Sequence, residues 1–318
     1  MHKGGDLMST EMYTVSSSPH IHSKDSIQGI MRDVLIALLP ATLVGIWVFK
    51  FHALIVVLLS VASCIGAEAL WQKLTHQKIT VNDYSAAVTG LLLALNLPPT
   101  VPFWLPIVGG AFAIIIAKQL FGGLGQNFIN PALAARAFLL ASWPVQMTTW
   151  TIDGVTTATP LGILKEGSGA LPSITDLILG NVGGCIGETS VIALLIGGVY
   201  LIYKKVISIR IPATFIGTVL ILTWILGRDG MFYSNAIYEI FTGGLFLGAF
   251  FMATDYASSP VTIKGQYIMG LGCGIITTVI RLYGGYPEGV SYSILIMNLA
   301  VPLIDRYTQP RIFGEVKK

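Results

Sequence analysis

Long apolar runs separated by short polar segments recur along most of this 318-residue chain. Roughly 20 apolar residues in a helix are needed to cross the hydrocarbon core of a bilayer, and about ten runs approach that length. These predicted spans cover residues 33–50, 53–72, 83–97, 102–120, 130–146, 185–203, 211–227, 236–254, 265–282 and 288–304. Only 11% of the residues are charged, compared with roughly 25% in soluble domains. The sequence therefore predicts an all-α polytopic membrane protein in contact with the lipid bilayer.

The basic residues give these spans a direction. With the N-terminus placed in the cytoplasm, most of the 19 Lys and Arg residues fall in cytoplasmic segments and only a few in outer ones. Because positive residues concentrate on the cytoplasmic side, both termini are predicted to be cytoplasmic. The predicted parts are an N-terminal tail or surface helix (1–32), a five-helix half (33–146), an outer loop (147–184), a second five-helix half (185–304) and a C-terminal tail (305–318).

The two halves contain similar short segments at similar spacing. The segment 118–123 resembles 281–286, since both carry a basic residue followed by an aromatic-Gly-Gly run. Upstream, the segment 90–99 resembles 248–255. An odd number of spans per half would invert the second copy, so the sequence predicts two inverted five-helix repeats, a class that places sites where interrupted helices meet. The alternative is that Gly-Gly and Pro-Pro recur by chance at helix ends.

The outer loop contains a threonine-rich segment, Asp153-Gly154-Val155-Thr156-Thr157-Ala158-Thr159-Pro160. Thr159 offers a hydroxyl in a loop that we expect to be exposed, and Pro160 biases it toward an extended backbone. A modifying enzyme could bind such an extended segment and attach a group to the Thr159 oxygen. Asp153 could help to position a metal-bound donor of that group during the transfer. The residues alone leave open an ordinary polar loop.

This segment resembles the flavin-attachment motif of one family of membrane subunits. That family comprises the D subunit of the Rnf ferredoxin:NAD oxidoreductase and the B subunit of the sodium-pumping NADH:quinone oxidoreductase, and the short N-terminal region fits the Rnf type better. The resemblance extends over essentially the whole chain and includes Ser17-Ser18-Pro19-His20, Ile30-Met31-Arg32-Asp33-Val34, Gly122-Gly123-Leu124-Gly125-Gln126-Asn127-Phe128-Ile129-Asn130-Pro131-Ala132 and Phe251-Met252-Ala253-Thr254-Asp255 with Ser258-Ser259-Pro260.

The resemblance implies a covalent FMN, joined through its phosphate to Thr159 by a dedicated flavin transferase. Asp153, Thr156, Thr157 and Ala158 complete the motif as residues near the cofactor. It also implies a multi-pass subunit of the bacterial cytoplasmic (inner) membrane, with the flavin loop on the outer face. A second, noncovalent flavin is compatible with the same resemblance.

The implied function is electron transfer within an ion-translocating complex. Electrons would pass from reduced ferredoxin to NAD, and the flavin of this chain would relay them between partner subunits, including a flavin-carrying subunit at the outer face. The resemblance assigns enzymatic activity to the complex and leaves open whether the isolated chain has any. Both soluble substrates would bind other subunits, so no catalytic residue and no NAD site are expected in this chain.

Arg136 lies inside the fifth predicted span, where a charge is costly and points to a functional role. It could pair with a flavin phosphate, with a flavin ring oxygen or with an intramembrane carboxylate such as Asp83, and a purely structural ion pair stays open. Near the predicted helix breaks, side-chain amides can satisfy loose backbone groups, which is the role expected for Asn96, Asn127 and Asn130. The carboxylates closest to the membrane could line an ion path, but placement at helix ends near the interface explains each of them, namely Glu68, Asp83, Glu188 and Asp255.

Several other classes of site are not expected. Cys64, Cys185 and Cys273 are scattered through apolar runs without metal-ligand spacing, so helix packing is expected rather than a metal or a disulfide. A net charge of +3 gives no sign of nucleic-acid binding. Two rival functions remain at this stage: a secondary transporter or channel for a small solute with an inverted-repeat fold, and a structural scaffold for other subunits.

Overall fold

A computed structural model describes residues 26–152, 155–156, 158–166, 171–180, 182–227, 236–286 and 288–310. Its helices are α1 (Ile27–Leu74), α2 (Ser85–Leu95), α3 (Trp104–Ala111), α4 (Pro131–Ser142), α5 (Pro144–Met147), α6 (Pro160–Glu166), α7 (Ile174–Leu179), α8 (Val191–Tyr203), α9 (Arg210–Ile225), α10 (Ala236–Phe241), α11 (Leu245–Leu247), α12 (Ile263–Tyr283) and α13 (Val290–Thr308). A small antiparallel hairpin of β1 (Thr151–Ile152) and β2 (Val155–Thr156) lies between α5 and α6. The predicted tails, 1–32 and 305–318, lie largely outside the described residues.

Helices occupy the predicted spans, which confirms the helical membrane architecture. Within the described residues, three stretches are long and apolar enough to cross a bilayer by length and composition alone, namely Ile27–Leu74, Trp104–Phe121 and Ile263–Tyr283. Large apolar side chains point outward along α1, where Trp47 is 85% exposed and Leu43 is 63% exposed. Soluble monomers rarely carry such extended apolar surface, whereas lipid tails solvate it.

The first helix contains two of the predicted spans. With 48 residues and a rise of about 1.5 Å per residue it would be about 72 Å long, more than twice the roughly 30 Å hydrocarbon core. The helix breaks at Lys50, whose φ is 59° and ψ is −146°. This break separates the predicted spans 33–50 and 53–72, so α1 consists of two helical segments that correspond to these two spans.

The two predicted halves share one apolar core. Helix α1 packs against α2, α3 and α8, while α12 packs against α9 and α13. Buried side chains from both halves join in a single cluster that includes Leu38, Leu93, Leu194, Phe215 and Ile294. Residues on the boundary between the halves are therefore enclosed by helices from both sides.

Side-chain amides satisfy backbone groups where the helices stop, as the sequence predicts. Asn130 Oδ1 accepts the backbone N–H of Ala132 at 3.1 Å and so caps α4. Asn96, at the end of α2, donates to the carbonyl oxygen of Leu92 at 2.7 Å. Asn127 donates to the carbonyl oxygen two residues later at 3.0 Å. In lipid these groups have no water to bind, so the amides allow short, interrupted helices.

A buried arginine holds together the interruption between α10 and α11. Arg281 is fully buried, and its Nη2 donates to the carbonyl oxygen of Thr242 at 3.1 Å. Its Nη1 donates to the carbonyl oxygen of Glu239 and lies 3.5 Å from that residue's carboxylate. Its Nε donates to the carbonyl oxygen of Glu288 at 3.1 Å. Arg281 therefore fixes the start of α13 against the broken helix.

A second buried ion pair lies at the predicted cytoplasmic end of the first half. Glu68 is 1% exposed, and its Oε1 accepts from Lys118 at 2.8 Å and from Gln119 at 2.7 Å. Lys118 also donates to Ser85 Oγ at 2.6 Å, and Ser85 in turn donates to Asp83. Glu68 lies near the end of α1, as expected, but the sequence did not indicate that it is buried within the protein, where a cation on another segment pairs with it.

Replacing Lys118 by methionine should destabilise the protein strongly. The substitution leaves the Glu68 carboxylate buried without its cation, and breaking a buried pair costs about 3–5 kcal/mol. The double variant Glu68→Gln with Lys118→Met should recover much of that loss, because no unpaired charge remains. Thermal unfolding of purified protein in detergent measures both changes. Lys73→Met, at an exposed lysine of α1, is the matched control, and a double variant as unstable as Lys118→Met would contradict the prediction.

Candidate functional site

A cavity of about 410 Å³ lies between α4, the loop that follows α5 and the start of α13. Its volume falls within the roughly 300–1,000 Å³ of small-molecule sites. Helix α4 contributes a buried arginine, the loop contributes threonine and tryptophan, and the approach to α13 and its first turn contribute one tyrosine each. The principal lining residues are Arg136, Leu140, Trp150, Ala158, Thr159, Tyr286, Glu288, Ser291 and Tyr292. Such a wall combines aromatic surface with a small number of polar groups.

Thr159 forms part of this cavity wall. The residue is 8% exposed, and its hydroxyl oxygen accepts the backbone N–H of Gly162 at 3.1 Å in the first turn of α6. The expectation of a hydroxyl in an exposed loop is therefore wrong, because the cap on α6 turns the side chain inward. Ala158, its neighbour, is exposed and also lines the cavity.

Other residues of the threonine-rich segment contribute less to the described site. Thr156 lies in β2, where its backbone pairs with Thr151. Asp153 and Thr157 lie outside the described residues. Of the residues predicted for the site, the structure thus brings Ala158, Thr159 and Arg136 to one cavity.

Arg136 is the centre of a buried polar network. It is 5% exposed and forms an ion pair with Glu288. Its Nη1 donates to Ser291 Oγ at 2.6 Å and to Asn96 Oδ1 at 3.2 Å. The suggested partner Asp83 is wrong, because that carboxylate accepts hydrogen bonds from Ser85 instead.

Glu188 and Cys185 approach Arg136 from the segment before α8. The Arg136 Nη2 atom lies 3.8 Å from Glu188 Oε1 and 3.7 Å from Cys185 Sγ. Glu188 lies at the end of a short helical turn before α8, and its side chain is only 6% exposed, so this carboxylate is also buried within the protein. The Cys185 thiol donates to the carbonyl oxygen of Asn96 at 3.3 Å. Residues from both predicted halves therefore meet at one guanidinium.

Sequence reasoning missed Glu288, Ser291 and the two tyrosines. The sequence did offer one signal for Glu288, since this carboxylate is the first residue of the last predicted span, 288–304. Gly289 makes the turn that brings Glu288 to Arg136, since its φ of 70° is a left-handed conformation that favours glycine. A Cβ at Gly289 would also lie 3.0 Å from Ile280.

Helix α6 is tied down over the cavity by a lysine. Lys165 donates to the carbonyl oxygens of Gly284 and Gly285, the second at 2.6 Å. Both carbonyls belong to the connection between α12 and α13. The loop that carries Thr159 is thereby attached to the segment that carries Glu288.

Three groups around Arg136 have the chemistry of metal ligands. Ligand atoms of Cys185, Glu188 and Glu288 lie within 4.8 Å of one another. The Arg136 guanidinium contacts all three side chains. These three groups therefore already have a positively charged side chain of the protein as their common partner.

The sequence is similar to those of known proteins over nearly its full length. The sequence matches the model of the NQR2, RnfD, RnfE family over residues 14–314. The D subunit of the Na(+)-translocating ferredoxin:NAD(+) oxidoreductase complex of Acetobacterium woodii is 59% identical over 311 residues, covering 96% of each chain.

Two further relatives match at similar coverage. The D subunit of the proton-translocating ferredoxin:NAD(+) oxidoreductase complex of Clostridium ljungdahlii is 49% identical, over 95% of this chain and 96% of the relative. The D subunit of an ion-translocating oxidoreductase complex of Alcanivorax borkumensis is 39% identical, over 94% and 96%. Matches of this length and identity show that the chain belongs to the NQR2, RnfD, RnfE family.

Proposed function

We propose that this chain is the D-type membrane subunit of an ion-translocating ferredoxin:NAD oxidoreductase complex. Relatives named as such subunits match it over nearly their full length, and its apolar helices suit a membrane-embedded member of such a complex. The activity belongs to the assembled complex, in which other subunits bind ferredoxin and NAD. The relatives are named for sodium in one case and for protons in another.

We further propose that FMN is attached through its phosphate to the hydroxyl oxygen of Thr159. One observation carries this proposal: Thr159 and the buried Arg136 line the same 410 Å³ cavity. The Thr159 oxygen accepts a hydrogen bond in the α6 cap, so replacing its hydrogen by phosphorus leaves the acceptor in place. An FMN bound there would accept electrons and pass them on, since the flavin carries the redox chemistry and the protein supplies position and electrostatics.

The remaining wall residues suit an aromatic ring system with hydrogen-bonding edges. Tyr286 and Tyr292 lie with ring centroids 6.3 Å apart at the cavity, and Trp150 adds a further apolar surface. Arg136 supplies a fixed positive charge that favours the more negative state of any group bound beside it. Burial of Thr159 also implies an order of events, in which the flavin transferase acts before α6 packs over the cavity.

Thr159→Ala should abolish covalent flavin. We expect the wild-type protein, co-expressed with the transferase, to give a fluorescent band under ultraviolet light on a denaturing gel. The intact mass should increase by one FMN less one water. Thr159→Ala should give neither signal, because no hydroxyl remains to form the phosphoester.

Thr157→Ala is the matched control, since it removes a neighbouring hydroxyl from the same segment. This variant should keep the fluorescent band. A nonfluorescent wild-type band, obtained with active transferase present, contradicts the covalent flavin.

Cysteine labelling tests the proposed outer position of the flavin loop. All three native cysteines are buried, so a membrane-impermeant maleimide should leave the wild-type protein unlabelled. Thr175→Cys, at an exposed position in the loop, should be labelled from the outside of intact cells. Lys78→Cys, at an exposed position on the predicted cytoplasmic side, should be labelled only after the membrane is opened. The reverse pattern contradicts the proposed orientation.

A further inference from the structure

The buried network around Arg136 contains more negative than positive charge. Glu188 and Glu288 both contact the guanidinium, so two carboxylates share one cation. With both carboxylates ionised, the cluster would carry a net negative charge. Burying an uncompensated charge is expensive, and a group in that position takes up a proton instead.

One oxygen identifies where the proton would reside. Within the described residues, the buried Glu188 Oε1 accepts no hydrogen bond, although it lies 3.8 Å from Arg136 Nη2. Glu288 has the closer ion pair with the same guanidinium. The other oxygen, Glu188 Oε2, accepts the backbone N–H of Cys185 at 3.4 Å. Because this buried oxygen accepts no hydrogen bond, the negative charge of Glu188 is stabilised less than that of Glu288, and Glu188 is the carboxylate that would bind the proton.

Among the residues that the structure describes, the neighbouring charges come in opposite pairs and leave this excess unchanged. Arg281 approaches through the backbone of Glu288, but it pairs with the carboxylate of Glu239. Lys165 and Glu166 on α6 are opposite charges on adjacent residues. The remaining described titratable groups that face the cluster are Cys185, Tyr286 and Tyr292.

Glu188 also has open space beside it. It borders a small cavity of about 10 Å³ that Thr159, Glu288 and Gly243 line as well. A Cβ at Gly244 would lie 3.0 Å from Glu188 Oε1, so the glycine keeps this space free. The carboxyl group therefore borders both Arg136 and the wall that carries Thr159.

We propose that Glu188 and Glu288 together form a proton-binding site that shares one exchangeable proton beside the flavin cavity, with Glu188 as its carrier and Arg136 as the positioning cation. Its ligand is a proton. The part of the proposal that concerns the flavin rests on the proposed function, because uptake of negative charge in the cavity would draw the proton toward the cofactor. The existence of the proton site does not rest on it.

The first measurement uses protein without flavin, made as Thr159→Ala in the absence of transferase. Infrared difference spectra recorded across a pH titration should contain the C=O band of a buried, protonated carboxylic acid. Glu188→Gln in the same background should abolish the band. Glu288→Gln should also abolish it, because one remaining carboxylate then balances one guanidinium and Glu188 stays ionised.

Asp176→Asn, which replaces a partly exposed carboxylate on α7, is the matched control and should leave the band unchanged. Size-exclusion chromatography establishes that each variant is folded. A folded protein whose carboxylic band is absent, or is retained in Glu188→Gln, overturns the proton site. Because no flavin is present, this result is independent of whether Thr159 carries FMN.

Two further measurements test whether the bound ion is a proton and whether the site is linked to the flavin. Replacing choline by sodium at constant ionic strength should leave the band's titration unchanged, and a sodium-specific loss of the band would overturn a proton site in favour of a metal cation. In flavin-loaded protein, the midpoint potential of the flavin should vary with pH in the wild type and lose the corresponding dependence in Glu188→Gln. An unchanged pH dependence in that variant would overturn the link between the pair and the flavin.

Discussion

A single guanidinium buried between two sets of helices organises the described structure. Arg136 cannot leave its charge uncompensated in a lipid-embedded protein, so the chain must bring carboxylates to it. It does so from two separate segments, one before α8 and one before α13, through Glu188 and Glu288. The interruption after α2 contributes as well, through Asn96. The buried charge of Arg136 thus requires three interrupted segments, before α8, before α13 and after α2, to meet at one place.

Interrupted helices make this convergence possible. A continuous helix uses its backbone groups internally, whereas a broken one exposes carbonyl oxygens and N–H groups that need partners. Arg281 binds the carbonyls that the break between α10 and α11 leaves free. The same side chain binds the carbonyl of Glu288, so the broken helix and the start of α13 are held in one arrangement. Backbone irregularity and the buried polar site therefore support each other.

The sequence predicted the helical spans and the capping asparagines well, because apolar run length and the need to satisfy backbone groups are local properties. It also indicated helix-end positions for Asp83 and Asp255, and both accept hydrogen bonds from nearby serine hydroxyls. It did not indicate that Glu68 and Glu188 are buried, since their burial depends on cations supplied by distant segments. Glu288 escaped notice for the same reason: nothing near it in the sequence shows that Arg136 is its partner.

The loop and the buried cluster are mechanically connected. Lys165 ties α6, which begins directly after Thr159, to the carbonyls of Gly284 and Gly285. That connection continues into Glu288 and Gly289, which turn the carboxylate toward Arg136. Movement of α6 away from the cavity would pull on the segment that positions Glu288, because only a few residues separate the two attachments. A group bound at Thr159 would keep α6 in a fixed position relative to the Arg136 cluster. Occupancy of the cavity and the ion pairing of Glu288 with Arg136 are therefore expected to depend on each other.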